Sequence, residues 1–311
     1  MSTSGTYTFD QTRAEICRAA LTNLGVVPIE NEGIPDSYMV IARDHLSRML
    51  KAWQGEGIPM WKRTEATVFL AKDTYKYTLN LSSGKATKDY VQTNTSAAAI
   101  VGAGTIVVDS ATGIANGYNI GVVCADEDIE WFTVSNVAST TITLSGTLTH
   151  AVADDAVVFC YQSRINRPLR ILSARRKTTD GVETELTQIR HEDFMALTSK
   201  LDTSLPSSYY YDKQRTSGYL YLYRAPEDIT DVINITYQEA IEDASADSQT
   251  LDLPQEWLEA IILNLSVKCI PAFGQWPLYE QLKAEALEAK GIMQQWDSEE
   301  APLKIVPGCD Y

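Results

Sequence analysis

Basic residues are scarce in this chain of 311: 26 Lys and Arg stand against 41 Asp and Glu, a formal net charge of −15. That balance excludes a general nucleic-acid binder that wraps phosphates with cations. Histidine is scarcer still. His45, His150 and His191 share no metal-ligand spacing with one another or with a cysteine, and His45 reads as a packed or rim side chain. The five cysteines are widely separated, odd in number and never in a CxxC pair, so they read as reduced thiols of a protein made in a cytoplasm. No apolar run approaches the roughly 18–20 residues that span a bilayer. The opening MSTSGTYTFDQTRAEI lacks the basic region and apolar run of a signal peptide.

Catalytic signatures are missing as well. There is no G-x-S-x-G elbow and no P-loop. Val101-Gly102-Ala103-Gly104 leads into a strand and reads as a turn. Asp126, Glu127, Asp128 and Glu130 form an acidic run without EF-hand spacing, read as a solvated hairpin tip, with calcium binding as the alternative. A cell-wall hydrolase would need two carboxylates roughly 5–9.5 Å apart, and the sequence gives no reason to pair any two. The expectation is a protein that is not an enzyme and uses no cofactor.

What is present is an apolar fraction of 44%, enough for real cores. Residues 251–296 read as two helices and a corner. Asp252 is the expected N-cap, Pro254 the first helical residue, and Pro271, Gly274 and Pro277 the corner. Trp257, Ala260, Ile261, Asn264, Leu265 and Lys268 recur at helical spacing, and Leu258, Ile262 and Val267 widen the apolar stripe. In the second helix Leu278, Leu282, Ala286, Ala289, Met293 and Trp296 share a face. At the other end of the chain, a helix capped by Asp10 or Thr12 carries Ile16, Ala19, Ala20 and Leu24 and stops at Gly25. Another, starting near Asp36 or Ser37, buries Tyr38, Ala42, His45 or Leu46, Met49 and Trp53. The economical arrangement packs the terminal helix pairs together around Trp53, Trp257, Ile261, Leu265 and Trp296.

Between the helices the period changes to that of strands, at 67–70, 75–79, 168–174, 184–189, 218–223 and 232–238, with a short helix at 192–201. Residues 86–161 differ in kind. They are rich in Ala, Thr, Ser, Val and Gly, and short strands follow one another closely (TIVVD, IGVVC, IEWFTV, TTITL, AVVFC), the signature of a small all-β barrel or sandwich. The expected fold class is therefore α+β: a helical bundle from the N- and C-terminal helices, a middle antiparallel β region and an inserted all-β domain. The expected domains are a discontinuous core of 1–85 and 162–296, the insert at 86–161, and an extended tail at 297–311.

Two segments stand out as candidate contact surfaces. Arg164, Arg167, Arg170, Arg175, Arg176 and Lys177 lie in a stretch without acids, a local reversal of charge. They read either as a band facing DNA or an acidic partner, or as the polar face of a strand paired internally. In the tail, Pro302 and Pro307 bracket Leu303, Ile305 and Val306, and Tyr311 ends the chain. Proline forbids a long helix there, and the apolar extended segment reads as a docking tail or a frayed end.

The order of these features resembles a known family. Trp53 and Gly57 stand in a W-x-x-x-G pattern, with Trp61 following. Tyr77 and Leu79 form Y-x-L, and Pro206 precedes Tyr209, Tyr210 and Tyr211. A strand around Leu220 runs into a Pro226 turn, and Ile235 to Gln238 read ITYQ. Leu253, Pro254, Trp257, Ala260, Asn264 and Leu265 form LP-x-x-W-x-x-A-x-x-x-N-L. The chain outside the insert resembles the head-to-tail adaptor (connector) proteins of short-tailed bacteriophages. The resemblance implies a structural virion protein, made in the host bacterial cytoplasm. It implies a ring, usually of twelve copies, joining the portal protein to the tail nozzle or tube, with tail fibres as a further partner. Double-stranded DNA passes its lumen, which an acidic surface would not bind, and the Arg164-to-Lys177 segment is the candidate for a ring of charge that brakes or centres it. The helical part would pack against neighbours and portal, with Trp53, Trp257, Ile261, Leu265 and Trp296 as helical core or ring interface and the excess apolar width around Ile262 and Val267 reserved for neighbouring subunits, and the tail residues Leu303, Ile305, Val306 and Tyr311 would reach into the portal. The alternative is another tail component, a baseplate or fibre-joining protein whose β-insert binds a fibre or a surface glycan.

Overall fold

The computed structural model describes residues 9–27, 33–58 and 62–296. In chain order the helices are α1 (Arg13–Asn23), α2 (Asp36–Gly55), α3 (His191–Ala196), α4 (Leu258–Phe273) and α5 (Tyr279–Trp296). The strands are β1 (Arg63–Phe69), β2 (Lys76–Leu79), β3 (Ala86–Thr87), β4 (Val91–Asn94), β5 (Thr105–Val107), β6 (Asn119–Val123), β7 (Ile129–Ala138), β8 (Thr141–Leu144), β9 (Val157–Tyr161), β10 (Arg170–Lys177), β11 (Glu183–Gln188), β12 (Thr203–Ser204), β13 (Ser208–Lys213), β14 (Gly218–Tyr223), β15 (Ala225–Pro226) and β16 (Val232–Gln238). The chain is a mixed α+β protein. It divides into two compact units, one of residues 1–62 with 241–311 and one of residues 63–240.

The first unit is helical. Thr12 begins α1 with a capping box: its hydroxyl accepts from Glu15 N at 3.3 Å, and the Glu15 carboxylate accepts from Thr12 N at 2.7 Å. These bonds, the backbone one first, hold the Glu15 carboxyl below its usual range. Two further amides of the first turn, Arg13 N and Ala14 N, donate to Gln249 O and Asp247 O, so the return segment supplies acceptors that a bare helix end lacks. Ile16, Ala20 and Leu21 of α1, Ala42, Leu46 and Trp53 of α2, and Ile261, Leu265 and Cys269 of α4 close one apolar core. The rings of Trp53 and Trp257 meet at 5.9 Å. Polar side chains on α4 bond across to its neighbours: Ser266 Oγ donates to Ala20 O at 3.1 Å, and Asn264 Nδ2 donates to Ala286 O at 3.0 Å.

Three details of this unit depart from the sequence expectation. Asp252 does not cap the helix; its carboxylate pairs with Lys62, and a 3-10 turn at Gln255–Trp257 starts after Pro254. Pro271 lies inside α4, and the corner is set by Gly274, whose φ of 71° is left-handed. Ile262 is buried in the protomer's own core, so that part of the wide stripe is used internally.

The second unit holds an eight-stranded sheet in the order β2-β14-β13-β11-β10-β16-β1-β3. It is antiparallel except at β11 and β13, which run parallel because the chain crosses between them through α3. One face carries Ala66, Val68, Ile171, Ala174, Ile233 and Ile235 into a core. On the other face Thr67 Oγ1 donates to Asn234 Oδ1, and Asn234 Nδ2 donates to Glu183.

Residues 91–161 form a six-stranded barrel in the order β4-β9-β6-β7-β8-β5. The bridge Thr95–Val108, with Ser96 N donating to Val107 O and Asp109 N to Asn94 O, closes the last strand onto the first. Closure removes the exposed edges that an open sheet of this size would present. A bulge between Val134 and Asn136 lets the ten-residue β7 pair with β6 along one half and β8 along the other.

The barrel is fixed to the large sheet by aromatic packing. Phe69, at the end of β1, is ringed by Tyr90, Trp131, Phe159 and Tyr161, with centroids 5.0–5.5 Å away. Trp131 in turn lies flat against Gly121, where a Cβ would meet its ring at 2.7 Å. Glycine is required at that position by close approach.

Candidate functional site

The segments that stand out in the sequence are candidate contact surfaces. β10 supplies most of the basic band. Successive residues of a strand point to opposite faces, so the band is split. Arg175 and Lys177 register with Asn234 and Val232 on the polar face, and Arg176 registers with Ile233 on the apolar one. Arg175 pairs with Glu65 at 2.6 Å and with Glu183 at 3.2 Å. The hydrogen bond from Arg175 holds the Glu65 carboxyl below its usual range. Arg176 reaches Asp231 at 3.6 Å. Asp231 is buried, and desolvation, with Asp228 nearby, raises its carboxyl above the usual range despite Arg176. Arg164 stands apart at the neck of the barrel, donating to Ser82 O and to Asn119 Oδ1. Arg167 follows Asn166, whose Oδ1 accepts from Arg167 N, and Arg170 begins β10. The six cations are therefore not one patch.

Trp53, Trp257, Ile261 and Leu265 come together in the helical core. Trp296 does not join them: it is 68% exposed at the end of α5, beyond Met293, which still packs on the core. The other large apolar side chains of α5 that stand exposed are Leu287, at 58%, and Ile292, at 53%. The docking-tail residues Leu303, Ile305, Val306 and Tyr311 lie outside the described residues, as do Trp61 and Cys309.

The acidic run at 126–130 is partly turned inward. Glu130 accepts from Thr149 N at 2.9 Å, from His150 N at 2.8 Å and from His150 Nδ1 at 2.7 Å, closing the turn at 149–150. Burial pulls its carboxyl up, but these bonds outweigh burial and leave it below the usual range. Among the described residues no three His, Cys, Asp or Glu side chains gather as a metal-binding group. Cys17, Cys124, Cys160 and Cys269 are free and buried. Burial drives the Cys17 thiol up to about 11 and the other three to about 12, the opposite of an activated nucleophile.

Sequence reading missed an aromatic sheet face. The alternation of β13 and β14 turns Tyr209, Tyr211, Leu220 and Leu222 inward and leaves Tyr210 and Tyr221 outward, stacked at 5.7 Å under Phe194 of α3. Lys76 caps the array 4.1 Å above the Tyr219 ring. The period-2 pattern of SYYYDK and GYLYLY is the signal that assigns these faces.

The fold is mixed α+β and the composition acidic. The sequence model of the SU10 adaptor protein family matches residues 123–303, more than half of the chain. The chain belongs to that family and is a bacteriophage adaptor-type protein. No curated protein matches it. Among solved structures, it is similar to the tailspike gp61 of Pseudomonas phage phi297, at 24% identity and a TM-score of 0.22, over 25% of this chain and 15% of that one. It is also similar to the Gp54 tailspike of Acinetobacter baumannii bacteriophage AP22, at 14% identity and a TM-score of 0.21 over the same shares. VP17, a capsid protein of bacteriophage P23-77, aligns at 9% identity and a TM-score of 0.12, over 61% of this chain and 78% of that one. The chain thus spans 15% of the length of the tailspikes it matches. Among the described residues no helix is long and apolar enough to cross a membrane.

Proposed function

We propose that this adaptor is the head-to-tail connector of a short-tailed bacteriophage. Copies form a ring, of twelve in the usual case, that joins the portal vertex to the tail nozzle or tube and passes double-stranded DNA through its lumen. Membership of the adaptor family carries the reading. The charge of −15 supports it, because a lumen lined by carboxylates and hydroxyls does not hold phosphates. In this reading the helical bundle and the β region of 1–85 and 162–296 are the adaptor core, 86–161 is an inserted barrel, and 297–311 docks on the portal. Negative-stain imaging of the protein mixed with its own portal should reveal a ring on the portal. A protein that stays monomeric with portal present overturns the reading. Removing residues 297–311 should leave a folded protein that no longer attaches.

A second reading, a fibre-joining or glycan-binding tail component, is favoured by one feature. Ile100 is 78% exposed and Val101 60% exposed at a barrel turn without charged neighbours in sequence. Deleting residues 88–160 separates the two. The connector keeps joining head to tail, whereas a fibre- or glycan-binding component loses its partner.

A further inference from the structure

The neck of the barrel, where the chain enters at Lys85 and leaves at Arg164, brings these two cations near each other. The Lys85 ammonium sits 4.6 Å above the Trp131 ring. Among the described residues no carboxylate pairs with it, although this chain holds 41 of them. The Arg164 guanidinium is close enough to repel it, and the two outer nitrogens of Arg164 are oriented by neutral acceptors alone, Ser82 O at 3.1 Å and Asn119 Oδ1 at 2.9 Å. Beneath them Tyr161 is buried, 5.4 Å from Trp131, with Arg164 beside its hydroxyl. Neither that hydroxyl nor Arg164 Nε has a hydrogen-bond acceptor in good geometry. Both cations are only part-buried, so solvent reaches them.

Two like charges held near each other, one of them over an indole, beside a buried hydroxyl without a hydrogen-bond acceptor, are costly unless a negative charge joins them. Burial and Arg164 push the Lys85 ammonium down to about 8, as expected for a cation that lacks its counter-charge. The platform is also specified by the sequence, since Trp131 lies flat only because residue 121 has no Cβ. We infer that Lys85, Arg164 and the Tyr161 hydroxyl, arranged around Trp131, form a binding site for a single oxyanion, a phosphate or a carboxylate. The guanidinium supplies directed donors, the ammonium a point charge and the phenol one further donor. An anion seated there ties the two chain crossings of the neck together. This inference does not depend on the connector reading.

The test is calorimetry on the full-length protein at pH 7 with inorganic phosphate in one arm and acetate in the other, against chloride at matched ionic strength. Saturable binding in either arm, weakened at least about tenfold in Lys85→Met and in Arg164→Gln and kept in Lys85→Arg, supports the site. Which arm binds tells whether the natural source is a phosphate or a carboxylate. No saturable binding in either arm, or undiminished binding in a folded Lys85→Met protein, overturns it. A second measurement needs no substitution that might unfold the neck. NMR titration of the Lys85 ammonium, with the binding anion present, should show its midpoint rising by about one pH unit or more. An unmoved midpoint contradicts the proposal.

Discussion

Helices α4 and α5 lie side by side in the chain and differ in what they bury. In α4, Leu258, Ala260, Ile261, Ile262, Leu265, Cys269 and Ile270 are all buried, on a stripe wide enough to meet α1, α2 and α5. In α5 only Leu282 and Ala286 are buried, and Leu287, Ile292 and Trp296 stand more than half exposed. By the helical period Leu287 lies on the side away from Leu282 and Ala286. The first helix spends its apolar surface inside the protomer. The second keeps part of it outside, at the end of the chain that leads to the proposed docking tail. Apolar side chains on α4 thus hold this unit together, and Leu287 and Ile292 of α5 are left to solvent.

The contrast can be broken most sharply at Trp257. Replacing it by Ala should cost about 3–5 kcal/mol, read as a lower denaturation midpoint with an unchanged slope. A loss near zero would mean that the α4 face is not the protomer's core. Leu282→Ala, on the buried side of α5, should cost about 2–4 kcal/mol by the same assay. Thr12→Ala removes one half of the capping box and should cost about 1 kcal/mol. The Glu15 half of that box also sets a pH dependence. Its folded pKa is depressed, so its contribution is complete above its ordinary value of 4.5 and is lost as pH falls through the lower folded value. Acid titration of stability should therefore lose this increment in Thr12→Ala. The smallest effect on folding belongs to the outer side of α5. Leu287→Ser and Ile292→Ser should change protomer stability by no more than about 0.5 kcal/mol, while ring formation on the portal fails. A large loss of protomer stability would place these residues in the core and erase the contrast.

Much of this was legible in the chain itself. Gly218–Tyr223 and Val232–Gln238 alternate so regularly that their strand limits follow from the pattern. Gly25 and Thr12 mark the ends of α1 by their backbone preferences. The misreadings have physical causes. Pro271 looked like a corner because proline lacks an amide, but it sits in the last turn of α4, where one lost bond is tolerated and the following Gly274 makes the stop. Asp252 looked like a cap because its competitor, Lys62, is remote in sequence. The basic band was open to two readings because charge order along a strand does not reveal faces. Glu65, Glu183 and Asp231, which pair with Arg175 and Arg176, come from other strands or loops. Trp296 keeps the spacing of the buried face yet lies exposed, since a helical period says nothing about where the covering helices end. The neck site was invisible for the same reason as the ion pairs: Lys85, Trp131, Tyr161 and Arg164 meet only once the barrel has closed.

The measurement that bears most directly on the division between an inward α4 and an outward α5 is native mass spectrometry of the full-length protein with its own portal, wild type beside Ile292→Ser. The expected result is a ring of copies on the portal for the wild type and folded monomers for the variant. Wild-type protein that stays monomeric beside the portal, or a variant that assembles as readily as the wild type, would contradict it.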